Sequence, residues 1–188
     1  MQLDRRSLLA GTAALMLAAP AQASGDISAE NDGRRDFDFL VGNWKVHHRR
    51  LKDRRVGSTE WQECEGTCSL HNILGGLGNF DENVIQAPKG TYSACTIRLF
   101  DPARKLWSIY WLDSRYPGPI TGSPMEGGFK NGKGLFFDEP TVIDGKSVQT
   151  RFIWSPMSKN SAQWEQAESD DGGKSWETNW IMSFQRSI

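Results

Sequence analysis

Metal chemistry in this chain would have to draw on His47, His48 and His71, its only histidines, together with Cys64, Cys68 and Cys95. Neighbouring residues of a strand point to opposite faces, so His47 and His48 cannot serve one ion, and no local ligand spacing of the zinc type accompanies them. The sequence therefore predicts no metal. Nucleophilic catalysis finds no Gly-x-Ser-x-Gly and no recognisable Ser, His and Asp arrangement. Glu165 and Glu177 are a carboxylate pair of the kind glycoside chemistry uses, but strand parity turns both outward. Gly75-Gly76-Leu77-Gly78 has no following Lys-Ser/Thr and no helix to cradle a phosphate, and reads as a loop at a barrel mouth. With no converging ionisable set, the residues lean away from an enzyme, without deciding the question.

The remaining chemistry is aromatic. Trp107 and Trp111 flank Ile109 on one strand face, and Phe152 and Trp154 sit together on another. With Trp164, Trp176 and Trp180 they make an apolar lining of the sort that small-molecule pockets carry, marked by a few polar groups. The polar handles are His48, which shares the Trp44 face with Arg50, and Asp113 on the Trp111 face. The predicted ligand-binding set is thus His48, Trp107, Trp111, Asp113, Trp154 and Trp180, for a small apolar or amphipathic molecule. The alternative is that the indoles fill the interior, as side chains do in small barrels. The chain would then be a packed module for protein interaction.

These residues need strands to position them, and no window shows sustained helical periodicity. The expected strands are Asn43–Leu51, Glu60–Leu70, Tyr92–Phe100, Lys105–Asp113, Glu126–Lys130, Gly134–Phe137, Ser147–Ser155, Ala162–Glu168 and Trp176–Arg186, with a short one over Glu82–Gln86. Asp101-Pro102, Asn131-Gly132 and Asp144-Gly145 are turn dipeptides. Ser169 to Trp176 matches Ser-x-Asp-x-Gly-x-x-Trp, an Asp-box, whose single copy is a hairpin device rather than a sialidase signature. Consecutive hairpins predict an all-β fold, one antiparallel up-and-down barrel of about eight to ten strands. Parity places Trp176, Thr178, Trp180, Met182, Phe184 and Arg186 on one inward face.

Gly42-Asn43-Trp44 near the first strand and Arg186 ending the last resemble the signature of lipocalin-type barrels. There the indole and guanidinium pack together where the first and last strands meet. The resemblance implies that Trp44 and Arg186 are structural and close the barrel. Phe37-Asp38-Phe39-Leu40-Val41-Gly42-Asn43-Trp44, Leu74-Gly75-Gly76-Leu77-Gly78-Asn79, Arg98-Leu99-Phe100-Asp101-Pro102, Trp107-Ser108-Ile109-Tyr110-Trp111 and the Asp-box together resemble an uncharacterised bacterial domain family of calycin, or lipocalin-like, type. That family implies a barrel over residues 37–186 and no activity. Nitrobindins, also small barrels, hold haem through a histidine near the C-terminus, where this chain has none. No cofactor is predicted.

The first residues predict export. Arg5-Arg6, a mainly apolar run to Ala19 and Pro20-Ala21-Gln22-Ala23 form a secretory signal over 1–23. The run is too short for a permanent membrane span, and Arg5-Arg6-Ser7-Leu8-Leu9 resembles a twin-arginine signal, with Asp4 in place of the usual Ser or Thr. The polar stretch 24–36 is expected to be a flexible linker, 37–188 the barrel domain, and the location periplasmic or secreted. Removing the signal leaves 165 residues and a charge near −2, which argues against nucleic acid as a partner. Cys64 and Cys68, about 13 Å apart along a strand, cannot bridge each other. Either one pairs with Cys95 or all three are free. Oligomeric state is left open.

Overall fold

A computed structural model describes residues 32–187. The expected signal segment, and the linker up to residue 31, lie outside the described residues. Eleven strands follow in order: β1 (Gly42–Leu51), β2 (Trp61–Ile73), β3 (Gly78–Ala87), β4 (Gly90–Asp101), β5 (Leu106–Asp113), β6 (Met125–Lys130), β7 (Lys133–Phe137), β8 (Thr141–Ile143), β9 (Lys146–Met157), β10 (Ser161–Ser169) and β11 (Glu177–Arg186). Every pairing is antiparallel. β1 pairs with both β2 and β11, and β10 with both β9 and β11, so ten strands close on themselves. The three-residue β8 lies outside the ring, in a hairpin with the start of β9. Closure removes the exposed edges of an open sheet. Among the described residues, no helix is long and apolar enough to cross a bilayer.

The end at which β1 begins is a packed floor. Residues 37–41 turn across it, with Asp38–Leu40 as a single 3-10 turn. Phe37 is 1% exposed and meets Trp107, Phe129 and Phe136 at ring-centroid distances of 5.0, 4.9 and 5.8 Å. Such aromatic pairs contribute about 0.5–1.5 kcal/mol each beyond burial. Trp44 and Arg186 are register partners, and the guanidinium carbon lies 4.1 Å from the indole centroid. Arg186 also donates to the carbonyls of Phe39, Val41 and Lys159, each at 2.7 Å, while Trp44 Nε1 donates to Leu40 O at 2.7 Å. One cation thus joins the last strand to the segment that plugs the floor. Residues 32–36, expected as linker, fold as turns against it, and Gly33 O accepts Trp107 Nε1 at 2.9 Å.

Several local expectations need correcting. β3 starts at Gly78 rather than Glu82, because Asn79, Asp81 and Asn83 alternate as polar residues on its inward side. The inward parity of β11 fails below Trp180. Gln166 pairs with Trp180 and Ala167 with Thr178, so Asn179 bulges. The bulge reverses the faces. Trp176 therefore lies outside the barrel, against Phe137 and under Arg151, whose guanidinium is 4.3 Å from its ring. Gly75 and Gly76 belong to the β2–β3 connection at the floor, not the mouth. All three cysteines are free. Cys64 and Cys68 share the inward face of β2, whereas Cys95 alternates with the inward Ala94 and Thr96 of β4 and points out. Opposite faces preclude a bridge.

Candidate functional site

Above the floor, the interior divides into a polar wall and an aromatic wall. β3 and β4 supply the polar one. Asp81 accepts from Asn83 Nδ2 at 2.6 Å, from the Thr96 amide at 2.9 Å and from Arg98 Nη1 at 2.7 Å. Arg98 Nη1 also donates to Asn79 Oδ1 at 3.0 Å, and its guanidinium lies 5.0 Å from the Phe37 ring. A buried ion pair holds only when further hydrogen bonds satisfy its remaining atoms, and here the carboxylate has three donors. The Arg98 Nε hydrogen has no partner within the protein.

β9, β10 and β11 supply the aromatic wall. Phe152 and Trp164 meet edge to face at 4.8 Å, Trp164 and Trp180 at 5.2 Å, and Trp154 leans on Phe184 at 5.3 Å. Between the walls lies a cavity of about 140 Å³, bounded by Asp81, Asn83, Thr96, Arg98, Ile109, Trp111, Phe152, Trp154, Trp164, Gln166, Trp180, Met182 and Phe184. The interior is therefore incompletely filled. Trp111 meets Trp180 edge to face at 5.6 Å and is 38% exposed, which puts it at the boundary with solvent.

A wider cleft of about 980 Å³ lies under the connection between β5 and β6. Only Trp107, Ser108 and Ile109 of β5 pair with β6, so the β5 edge from Tyr110 to Asp113 is unpaired on that side. Residues 114–124 cover it, carrying the exposed Tyr116 and Ile120. Ile109, Trp111 and Phe152 border both cleft and cavity. These three side chains separate the two spaces.

The sequence-derived residues divide accordingly. Trp111, Trp154 and Trp180 meet at the cavity. Trp107 does not: it is 1% exposed in the floor, because the Phe37 turn folds against it. Asp113 borders the cleft and is held by Arg115, whose guanidinium donates to it and keeps its carboxyl below the usual carboxylate range. His48 points inward and is 1% exposed, but it borders neither space. Trp180 Nε1 donates to its Nδ1 at 3.3 Å, which fixes the neutral tautomer with hydrogen on Nε2. Burial, with Arg50 nearby, pushes its pKa down to about 3. Sequence reasoning missed Asp81, Asn83, Thr96, Arg98 and Gln166. Their signal was the alternation Asn79-x-Asp81-x-Asn83 in step with the buried Ile85, and Thr96-x-Arg98 in step with Tyr92 and Phe100.

The chain matches no protein-family model and no curated protein sequence. Solved barrels do resemble it. An S-type phycobiliprotein lyase, CPES from Guillardia theta, superposes with a TM-score of 0.53 at 10% identity, over 84% of this chain and 96% of the lyase. Rv2717c from M. tuberculosis superposes with a TM-score of 0.53 at 9% identity, over 83% of this chain and 98% of its own. At such identities the likeness is one of fold: this chain is a lipocalin-like antiparallel barrel of ten strands.

Proposed function

We propose that the barrel binds one small, mainly apolar molecule between its two interior walls. The observation that carries this reading is the cavity of about 140 Å³, with indoles on one side and the Asp81–Arg98 network on the other. Apolar enclosure with a few fixed polar groups is the usual make-up of a small-molecule site. An apolar cavity of about 150 Å³ suffices for a benzene-sized guest. The aromatic wall takes a flat ring, and the polar wall selects a hydrogen-bonding edge. A guest enters from the cleft beneath residues 114–124, past Trp111. Other barrels of this fold include a phycobiliprotein lyase, which fits an interior that accepts guests.

Native mass spectrometry of the purified protein, with and without benzene or phenol, tests this. Wild type is expected to carry one guest per chain. Ile109→Phe, which fills the cavity from β5, is expected to lose it while still folding. Equal uptake by both proteins, or none by wild type, would refute the reading.

We also propose that the chain is exported after cleavage near Ala23, on the strength of its first residues. N-terminal sequencing of material from the cell envelope should begin near Ser24. Material starting at Met1 or Gln2 would exclude it.

A further inference from the structure

At the mouth end of the interior, beyond Trp180, a half-buried guanidinium has no acid beside it. Arg50 continues the inward face of β1 past His48, and its carbon sits 3.6 Å from the Trp180 ring centroid and 5.7 Å from that of Tyr92. Its Nε and Nη2 are both buried and have no hydrogen-bond partner, nor does any carboxylate among the described residues pair with it. Two more donors stand in the same condition beside it. The Tyr92 hydroxyl is buried and unpartnered, on a residue 6% exposed, and so is His48 Nε2, which the tautomer above leaves carrying a hydrogen. Asp113, on the cleft side, is already taken by Arg115, which stacks on Tyr92 at 3.7 Å. The cluster therefore keeps one uncompensated positive charge.

Buried donors left unpaired destabilise a fold, and an unpaired buried cation does so more. Together these groups offer an anion the guanidinium hydrogens of Arg50 and a Tyr92 hydroxyl free to turn its hydrogen toward it, with no carboxylate among the described residues to compete. Arg50 presents a planar fork that suits a carboxylate. We infer that the molecule held by the barrel is a monocarboxylic acid, its apolar body in the cavity and its carboxylate at Arg50 and Tyr92. This rests on the interior-binding reading above and adds the charge and direction of the guest. Trp180 supports the direction, because the same indole borders the cavity and lies against Arg50. The polar wall does not compete for the acid, since Arg98 already has Asp81 as its partner.

Calorimetric titration with benzoate and its neutral isostere benzamide, at pH 7.5, tests the inference. Wild type should bind the acid at least tenfold more tightly than the amide. Arg50→Gln should abolish that preference and leave amide affinity unchanged. Tyr92→Phe, an isosteric change that tests the site even if Arg50→Gln does not fold, should weaken the acid several-fold and leave the amide alone. Equal wild-type affinities, or a preference that survives both substitutions, would overturn the carboxylate while leaving interior binding intact. Binding of neither probe would overturn both.

Discussion

Replacing Asp81 by Asn keeps the shape of the polar wall and removes its negative charge. Asp81 and Arg98 side chains are 2% and 6% exposed and 2.7 Å apart, so water does not replace the lost partner. Arg98 would retain Asn79 Oδ1 at 3.0 Å and the Phe37 ring at 5.0 Å, neither of which carries a charge. Breaking a buried pair from one side is destabilising by about 3–5 kcal/mol. For a domain of this size, each kcal/mol lowers Tm by roughly 2–4 °C, so the expected drop is about 6–20 °C. Arg98→Met alone should be milder, about 2–3 kcal/mol, because Asp81 keeps Asn83 Nδ2 and the Thr96 amide as donors. The double substitution buries no charge, and an Asn at 81 can still accept the Thr96 amide. It should therefore be less destabilised than Asp81→Asn alone, with a coupling of about 2 kcal/mol or more. Urea unfolding followed by tryptophan fluorescence measures all three. A loss below about 1 kcal/mol for Asp81→Asn would mean that the pair is solvated, and strictly additive losses would mean that it is not a pair. Either result refutes this account of the polar wall.

Acid should act through His48. Its folded pKa, about 3, lies below the ordinary value near 6.5, so below pH 6.5 the unfolded chain takes up a proton that the fold refuses. Stability is then full above pH 6.5 and declines as pH falls toward 3, by about 2 kcal/mol at pH 5. His48→Gln should flatten that slope in urea titrations at pH 7 and pH 5, and an unchanged slope would exclude His48. Arg186→Ala removes three hydrogen bonds and the stacking on Trp44, for a loss of about 3–4 kcal/mol. Arg186→Lys should recover only part of it, because an ammonium lacks the fork that reaches Phe39 and Val41 together. Thermal melts of the two variants give the comparison. A Cβ at Gly66 would lie 2.7 Å from Val84 O and 2.8 Å from His48 Nε2. Gly66→Ala should therefore lower stability by about 1–3 kcal/mol in the same assay.

The barrel was legible because its evidence is local and repeated. Turn dipeptides marked three hairpins and the Asp-box a fourth, and strict alternation along Trp44, Val46, His48 and Arg50 set the inward face of β1. The terminal pair Trp44 and Arg186 was legible for a different reason: an arginine ending an apolar face needs a partner. The site was less legible, and each miss has its own cause. The reversal at Asn179 follows from pairing between β10 and β11, and nothing in the residues around Trp176 announces it. Trp107 has the parity of a pocket residue, and only the return of Phe37 across the barrel end claims it for the floor. The polar wall was missed because Asn79, Asp81 and Asn83 break the rule by which strands are found. Inward polar residues read as loop until their partners on β4 are known.

The two ends of the interior treat their polar groups in opposite ways. At the floor, Arg186 has three carbonyl acceptors. At the mouth, buried polar atoms of Arg50, Tyr92 and His48 have no hydrogen-bond partner. A fold selected only for stability would gain from an apolar residue at position 50, since buried guanidinium nitrogens without a partner destabilise it. An arginine with three acceptors at one end and one with two unpartnered nitrogens at the other, with an aromatic cavity between them, fit the proposed division of work between the ends. On that proposal the floor contributes stability, and the mouth gives up part of it to keep donors available. The difference should be measurable: a carboxylate guest that satisfies the mouth should raise Tm in wild type and leave that of Arg50→Gln unmoved, because only binding to the folded state stabilises it.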